Sequence, residues 1–196
     1  DEDSIRVHPI ITKGGEAVSA VPADVRMETF VRGRNLDALM DANTKVDRAL
    51  RAGAMAVGAE VKIQTIPGYM PLQQNKAMAE IFRVNAAELV GEENVGYVDH
   101  RGGSTDMGDI SRLMPVIHPY VGGATGLGHG ATYVIEDYSL AVIKGAKALS
   151  YTAIDLLADD ASHGNSIAGG QRPDMSIPEY LKFMRDLASE ETFKSG

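Results

Sequence analysis

Residues 122–133, GGATGLGHGATY, place five glycines around one histidine, His129. Two kinds of chemistry fit such a segment. A glycine-rich turn can bring backbone N–H groups close to a phosphate, and residues 126–131 follow the spacing G-x-G-x-x-A of a variant dinucleotide-binding turn. A flexible loop of glycines can also present a single imidazole to a metal ion at the rim of a cleft. The surrounding sequence has to distinguish the two.

The phosphate interpretation lacks the elements that it requires. In dinucleotide-binding folds the glycine turn joins a strand directly to a helix, and an acidic residue follows about twenty residues later at a strand end. Here residues 133–135 separate the glycines from the next predicted helix, and the later acid, Asp155, lies within that helix. The chain also has no Gly-Lys-Ser/Thr sequence. The pattern therefore favours the imidazole, and a solvated loop histidine without a ligand is the open alternative.

Other polar residues could accompany His129 in a site. Asp106 in GGSTDMGD could accept a hydrogen bond from the imidazole and so orient it. His100 stands beside Arg101 and a glycine pair, which makes it a candidate cleft residue. Arg32 ends an alternating strand and could bind a carboxylate through two parallel hydrogen bonds, although an ordinary solvated arginine is equally compatible with the sequence.

Composition limits the partners of such a site. The 196 residues carry a formal net charge of −8, which argues against nucleic acid and anionic membrane surfaces as partners. There is no cysteine, so thiolate metal sites, disulfides and thiol nucleophiles are excluded, and a reducing, cytoplasmic location is expected. No apolar run reaches the length of a membrane span. The length allows one domain or two small ones.

The first third of the chain predicts a sheet covered by a helix. Residues 5–11 form one predicted strand, and residues 25–32 alternate with a period of two, as a half-exposed strand does. Asn35 can cap a helix whose apolar stripe ends at Gly58. Residues 60–66 alternate again. The order strand, strand, helix, strand predicts a three-stranded antiparallel sheet with the helix on one face.

The prolines and glycine of residues 67–71 mark a boundary to the second part. From there the patterns predict a helix over 72–90, a strand at 94–98, a loop at 101–111, a short buried strand within 114–123 and a long helix over 139–157. Residues 159–173 read as a linker, and residues 176–193 as a last amphipathic helix with Pro178 in its first turn.

Several of these sequences are similar to one known family. Residues 6–33 resemble the lid, or dimerisation, domain of the aminoacylase and glutamate-carboxypeptidase family of zinc metallopeptidases, with a strand, a turn of small residues, a Val-Pro turn and a strand ending in arginine. The sequences GGSTDMGDISRLMPVIHPYVGG, GLGHGATY and EDYSLAVIKGAKALSYTAIDLL resemble the C-terminal part of the family's catalytic domain. The likeness is to the subgroup of aminobenzoyl-glutamate hydrolases and dipeptidase-like amidohydrolases, and it spans residues 5–160.

The resemblance implies an α/β fold with an α+β lid. Residues 1–66 would form a partial antiparallel ββαβ lid or dimerisation domain. Residues 67–160 would form the C-terminal part of a mixed α/β catalytic domain, and residues 161–196 a linker and a C-terminal helix. The implied protein is a homodimer, joined through the lid domains.

The resemblance also implies an activity, which is metal-dependent hydrolysis of an amide bond in an N-acyl or aminobenzoyl amino acid or a small dipeptide. Two divalent ions, zinc or manganese, would be the cofactors. His129 would be the last metal ligand, and Arg32 the lid arginine that holds the substrate carboxylate. The residues expected to line the substrate site are Ser104, Thr105, Asp106 and Gly128.

Much of the family's catalytic machinery has no counterpart in residues 1–196. The other metal ligands and the general base of the family precede its lid domain, and Ser19 to Pro22 replace a turn in which asparagine is frequent. One imidazole cannot supply metal-assisted hydrolysis. We therefore expect the C-terminal portion of a longer amidohydrolase, without a catalytic base of its own and inactive alone. The alternative is a non-catalytic dimerisation or interaction module that needs another chain.

Overall fold

The structure is a computed structural model, and it describes residues 3–99, 102–170 and 172–195. Helices alternate with short antiparallel strands, which agrees with the α/β class. In chain order the elements are β1 (Arg6–Lys13), β2 (Arg26–Arg32), α1 (Leu36–Val57), β3 (Glu60–Thr65), α2 (Lys76–Val90), a 3-10 turn (Glu92–Asn94), α3 (Met107–Ile110), β4 (Ala124–Thr125), β5 (Val134–Ile135), a π-helical segment (Ser139–Lys144), α4 (Gly145–Gly170), α5 (Ile177–Leu187) and β6 (Ser189–Lys194).

The chain divides into two compact units. The first comprises Asp1–Leu72, His100–Asp109 and Pro178–Gly196, and the second comprises Gln73–Asp99 and Ile110–Ile177. The domain boundaries predicted from the sequence, after residues 66 and 160, stay predictions.

In the first unit the predicted order strand, strand, helix, strand is confirmed. The caps of α1 are those that the sequence indicates: the Asn35 side chain accepts a hydrogen bond from Ala38 N at 2.8 Å, and Gly58 ends the helix in the left-handed region at φ 67°. The helix packs against β2, β3 and β6. Its buried residues are Ala42 and Ala54, small side chains that allow a close approach.

The prediction of one three-stranded sheet is wrong, because β3 does not join β1 and β2. Among the described residues β1 pairs only with β2, and β3 pairs instead with β6, which the sequence analysis treated as the end of a helix. The register places Val61 opposite Phe193, and exposed ion pairs accompany this apolar pair. Glu60 pairs with Lys194 at 3.1 Å and Lys62 with Glu190 at 2.8 Å, so the polar residues of β6 match those of β3.

The second unit is built around α2 and α4, which pack against each other. Asn75 caps α2 by accepting a hydrogen bond from Met78 N at 2.8 Å, and the helix ends before Gly91 as predicted. Between the helices the buried Asn85 donates to Asp155 Oδ2 at 2.6 Å. A buried amide satisfied in this way specifies how the two helices align.

Two strands expected in the second unit are absent from its described residues. Residues 95–99 have no regular secondary structure, and residues 115–123 form no ladder either. Isolated hydrogen bonds replace the ladder: Asn75 N donates to Val116 O, and His118 N donates to Gln74 Oε1, both at 2.8 Å. An apolar run in a sequence indicates burial but does not identify a strand partner. Residues 115–123 are held by single hydrogen bonds instead of by a neighbouring strand.

The C-terminal region also differs from the prediction. The segment expected as a linker is helical over residues 162–170, and α4 continues into it after a break at residues 158–161. The last helix begins as predicted, with Pro178 in its first turn, but it ends at Leu187 and residues 189–194 form β6. In the part of the chain that the structure describes, no helix has the length and apolar character to cross a membrane.

Candidate active site

The glycine-rich segment forms a loop between two very short strands. Ala124 pairs with Ile135 and Thr125 with Val134, so residues 126–133 project from this two-residue ladder. Below the ladder, Gly123 O accepts hydrogen bonds from Glu136 N at 2.9 Å and from Asp137 N at 3.0 Å. These bonds close the base of the loop, which the chain leaves directly into the π-helical segment.

Asp137 links this base to the start of the following helix. Its Oδ1 accepts a hydrogen bond from Leu140 N at 2.9 Å, and its carbonyl oxygen accepts one from Ala141 N at 2.9 Å. An acidic side chain at this position satisfies a free N–H group of the first helical turn. The sequence analysis did not single out Asp137, although an acid just before a helix is a recognisable capping signal.

Gly126 is required by the shape of the loop. Its φ is +89°, and a Cβ atom there would lie 2.2 Å from Thr132 O. The two sides of the loop therefore approach each other more closely than any side chain at residue 126 would permit. Gly128 is different, because a Cβ atom there would meet nothing within 4 Å.

His129 occupies the tip of the loop in a strained conformation. Gly130 N donates to Leu127 O at 2.8 Å, which closes a turn with His129 as its third residue at φ 63°. Turns of this kind favour glycine or asparagine at that position. The side chain is exposed, and the described residues offer it no hydrogen-bond partner. The loop thus presents a free imidazole to solvent.

Arg32 ends β2 in the first unit and is half-buried. Its Nη1 donates to Gly102 O at 3.3 Å, and its guanidinium carbon lies 5.6 Å from the centroid of the Phe30 ring. Within the described residues its Nε is buried and has no hydrogen-bond partner. A buried donor without an acceptor is costly, so this nitrogen could accommodate an acceptor from outside the described chain.

The loop that contains Ser104, Thr105 and Asp106 leads into α3. Thr105 Oγ1 donates to Asp106 Oδ1 at 3.0 Å, and Gly108 N donates to Thr105 O at 2.9 Å. Ser104 and Asp106 are exposed. The hydrogen bond from Arg32 Nη1 to Gly102 O attaches the start of this segment to β2. His100 lies outside the described residues.

Two neighbours in the same segment were missed by the sequence analysis. A Cβ atom on Gly108 would lie 1.8 Å from Met70 O, and Asp109 Oδ1 accepts a hydrogen bond from Met70 N at 3.2 Å. Burial raises the pKa of Tyr180, with the Asp109 charge and a hydrogen bond to Asp109 as further causes. These contacts hold the loop to residues 70–72 rather than to a ligand, and no local pattern distinguishes Asp109 from Asp106.

In the second unit, three hydrogen bonds connect Gln73, residues 111–112 and Asp174. Ser111 Oγ accepts a hydrogen bond from Gln73 N at 3.1 Å. Arg112 Nη1 lies 3.0 Å from Gln73 Oε1 and 2.9 Å from Asp174 Oδ2. The His118 ring stacks on the Tyr120 ring, with their centroids 5.7 Å apart.

The described residues do not compose a metal site. Arg32, Ser104, Thr105 and Asp106 belong to the first unit, whereas Gly128 and His129 belong to the second. Across residues 3–99, 102–170 and 172–195 no group of three or more histidine, aspartate or glutamate side chains could hold an ion. A zinc site needs three or four protein ligands, and the glycine-rich loop contains a single histidine.

The largest pKa change lies far along the sequence from these candidates. Hydrogen bonds from Arg83, and then from Tyr97, lower the pKa of Glu80 to about 2. Arg83 also pairs with Glu92, so the cluster joins α2 to the 3-10 turn and the segment after it. Perturbed pKa values often mark active sites, but ion pairs that hold elements together cause them too, and this cluster is of the second kind.

Two curated relatives are similar to the chain. An Xaa-Arg dipeptidase of Mus musculus is 30% identical over 162 residues, which are 78% of this chain and 37% of the relative. The Xaa-Arg dipeptidase of Homo sapiens is 28% identical over 162 residues, with the same shares of 78% and 37%. The chain is thus a distant homologue of these dipeptidases and spans little more than a third of their length. No protein-family profile and no solved structure matches it.

Proposed function

We propose that this chain is the C-terminal portion of a metal-dependent amidohydrolase that cleaves an amide bond in a small dipeptide or in an N-acyl or aminobenzoyl amino acid. The observation that carries the proposal is the similarity to Xaa-Arg dipeptidases over 78% of the chain. The 37% coverage of those relatives supports the view that the remaining catalytic groups lie outside these 196 residues.

Arg32 is the proposed binding group for the substrate carboxylate. Its buried Nε has no acceptor in the described chain, and its Nη1 bond to Gly102 O holds the guanidinium beside the loop of Ser104, Thr105 and Asp106. A guanidinium held in this way can form two parallel hydrogen bonds to a carboxylate. Ser104, Thr105 and Asp106 in the first unit, and separately Gly128 in the second, are proposed as substrate-binding residues because the family resemblance implies this role.

His129 is proposed as one ligand of a divalent ion, zinc or manganese. The exposed, unpaired imidazole at the tip of a hydrogen-bonded loop supports this role, because a ligand must be accessible and held in place. The remaining ligands and the general base would have to come from sequence outside these residues or from a second chain. The isolated chain is therefore expected to hold no ion tightly.

The test is an assay of the longer protein that contains this sequence, on aminobenzoyl-glutamate, N-acyl amino acids and a dipeptide panel that includes Xaa-Arg. We expect hydrolysis of at least one substrate and its loss after treatment with a chelator. Turnover that is insensitive to the chelator contradicts the metal role. The absence of hydrolysis on every amide contradicts the enzymatic proposal.

Two histidine variants test the assignment of the ligand. His129→Ala should reduce metal content and turnover severely while leaving the folded state intact, because an exposed side chain contributes little packing. His118→Ala is the matched control: it removes the stacking on Tyr120 and should lower stability more than metal content. Unchanged metal content in His129→Ala removes the assignment.

A second candidate function is dimerisation without catalysis, through the sheet of β1 and β2. Exposed apolar side chains on these strands favour it: Ile10 is 62%, Ile11 68% and Phe30 67% exposed. A two-stranded sheet is only marginally stable, and its unpaired edges can extend into a second copy. Mass measurement in solution distinguishes the candidates, since a monodisperse monomer contradicts a dimer formed through these strands.

A further inference from the structure

The break within α4 has an uncommon backbone conformation. Asp159, Asp160 and Ala161 lie consecutively in the left-handed region, with φ values of 49°, 56° and 57°. Residues other than glycine visit this region singly, because the Cβ atom crowds the following carbonyl oxygen. Three such residues in succession store strain, and strain of this kind persists only where surrounding contacts impose it.

Contacts on the far side of the break supply that constraint. The chain turns back so that a Cβ atom on Gly164 would lie 2.8 Å from Leu156 O. Asn165 Nδ2 donates to Asp160 O at 3.1 Å. Ile167 is only 8% exposed, so its side chain is covered in this bent arrangement. Backbone strain therefore destabilises the bent state, whereas the burial of Ile167 and the hydrogen bond from Asn165 to Asp160 stabilise it.

Residues 159–173 read as a linker in the sequence, but residues on both sides of the break would share one face if the helix were continuous. Small and apolar residues recur at intervals of three or four, which places them on one face of a continuous helix. This face comprises Ala146, Leu149, Ala153, Leu157, Ala161, Gly164 and Ala168. No proline occurs between residues 145 and 170 that would prevent a straight helix there.

We propose that α4 is a two-state element that alternates between the bent form and a straight helix through residue 170. The straight form relieves the left-handed strain at residues 159–161. It loses the covered position of Ile167 and the bond from Asn165 to Asp160. Because the opposing contributions act on the same few residues, small changes shift the population between the two forms.

The distance between two labels measures this equilibrium. The chain contains no cysteine, so Lys147→Cys and Ser166→Cys, at two exposed positions, introduce a unique pair for spin labels. In a straight helix these residues are about 28 Å apart, and in the bent form they are closer because Gly164 lies beside Leu156. The labelled chain should give mainly the short distance.

Substitutions that change the left-handed backbone or remove the buried side chain test the proposal. Asp160→Val disfavours the left-handed conformation and should raise the ratio of long to short distances by about tenfold or more. Asp160→Gly is the matched control, which should keep the short distance. Ile167→Ser removes the covered side chain and should shift the ratio in the same direction as Asp160→Val.

An unchanged short distance in both Asp160→Val and Ile167→Ser overturns the proposal, as does a shift of Asp160→Gly to the long distance. Circular dichroism checks the folded state of each labelled protein. If Asp160→Val loses its helical signal, the distance in Ile167→Ser alone decides.

Discussion

The two glycine-rich segments of the chain, residues 102–109 and residues 122–133, look alike in sequence and differ in what their glycines accomplish. In the first, Gly108 permits α3 to lie against the backbone of residue 70, and Asp109 reinforces that contact. In the second, Gly126 lets a loop close on itself and leaves His129 exposed at the tip.

The contrast separates two uses of glycine that composition alone does not distinguish. A glycine without room for a Cβ atom can serve close packing, which fixes a segment within its unit. It can also serve a tight turn, which displays a neighbouring side chain. Chemistry is therefore more to be expected from the exposed loop than from α3, even though both segments contain acids, hydroxyls or imidazoles.

The largest expected effect is that of Gly108→Ala. The new Cβ atom would lie 1.8 Å from Met70 O, and a backbone carbonyl cannot rotate away as a flexible side chain can. We expect a loss of about 3 kcal/mol in the free energy of unfolding, measured by urea denaturation. Gly103→Ala is the control, since a Cβ atom there meets nothing within 4 Å. Equal losses in the two variants would contradict the close-packing role of Gly108.

A smaller loss should follow Gly126→Ala. Its Cβ atom would lie 2.2 Å from Thr132 O at a φ of +89°, but a loop can adjust more easily than a packed segment. We expect a loss of about 2 kcal/mol together with faster hydrogen exchange of the β4 and β5 amides. Gly128→Ala, where the added atom meets nothing, should leave exchange unchanged. Slower exchange in Gly126→Ala would contradict the closing role of this glycine.

His129→Gly should change stability in the opposite direction. The residue has a φ of 63°, which glycine adopts without strain, so the variant should gain up to about 1 kcal/mol. Thermal unfolding measures the gain. In the longer protein the same variant should lose turnover. Stabilisation with retained turnover would show that the exposed loop is not where the chemistry lies, and destabilisation would show that the turn is not strained.

The smallest effect is expected outside both segments. Arg83 holds the pKa of Glu80 at about 2, below its ordinary value of 4.5. The unfolded chain therefore takes up this proton first, and the contribution of Glu80 to stability is lost as pH falls from about 4.5 to about 2. The Glu80→Gln variant should flatten the decline of the urea midpoint in that window. Salt should reduce the difference because the cluster is exposed. An identical decline in the variant would contradict this assignment.

The sequence correctly predicts those helices whose capping residues mark where they begin and end. Asn35 and Gly58 delimit α1, and Asn75 and Gly91 delimit α2, because capping depends on residues within one turn of the helix end. Alternation likewise identifies β1, β2 and β3. Pairing is not local: residues 189–194 form a strand by pairing with β3, which lies far earlier in the chain.

The sequence nominates residue types for a candidate site but does not indicate how they are arranged. The exposure and free imidazole of His129 agree with the loop expected from its glycines. The different contacts of Asp106 and Asp109, three residues apart, depend on where residue 70 lies. Residues 159–161 begin the segment that the sequence predicts as a linker, but they contain no glycine, so their left-handed backbone is not predictable from the sequence.

The pairing of β3 with β6 has a consequence for biosynthesis. Residues 60–65 leave the ribosome well before residues 189–194, and at translation speeds of about 5–20 residues per second the delay is on the order of ten seconds. Throughout that interval the nascent chain carries an unpaired strand edge, the kind of surface that chaperones shield and that neighbouring nascent chains can capture. Pairing with β6 covers this edge of β3.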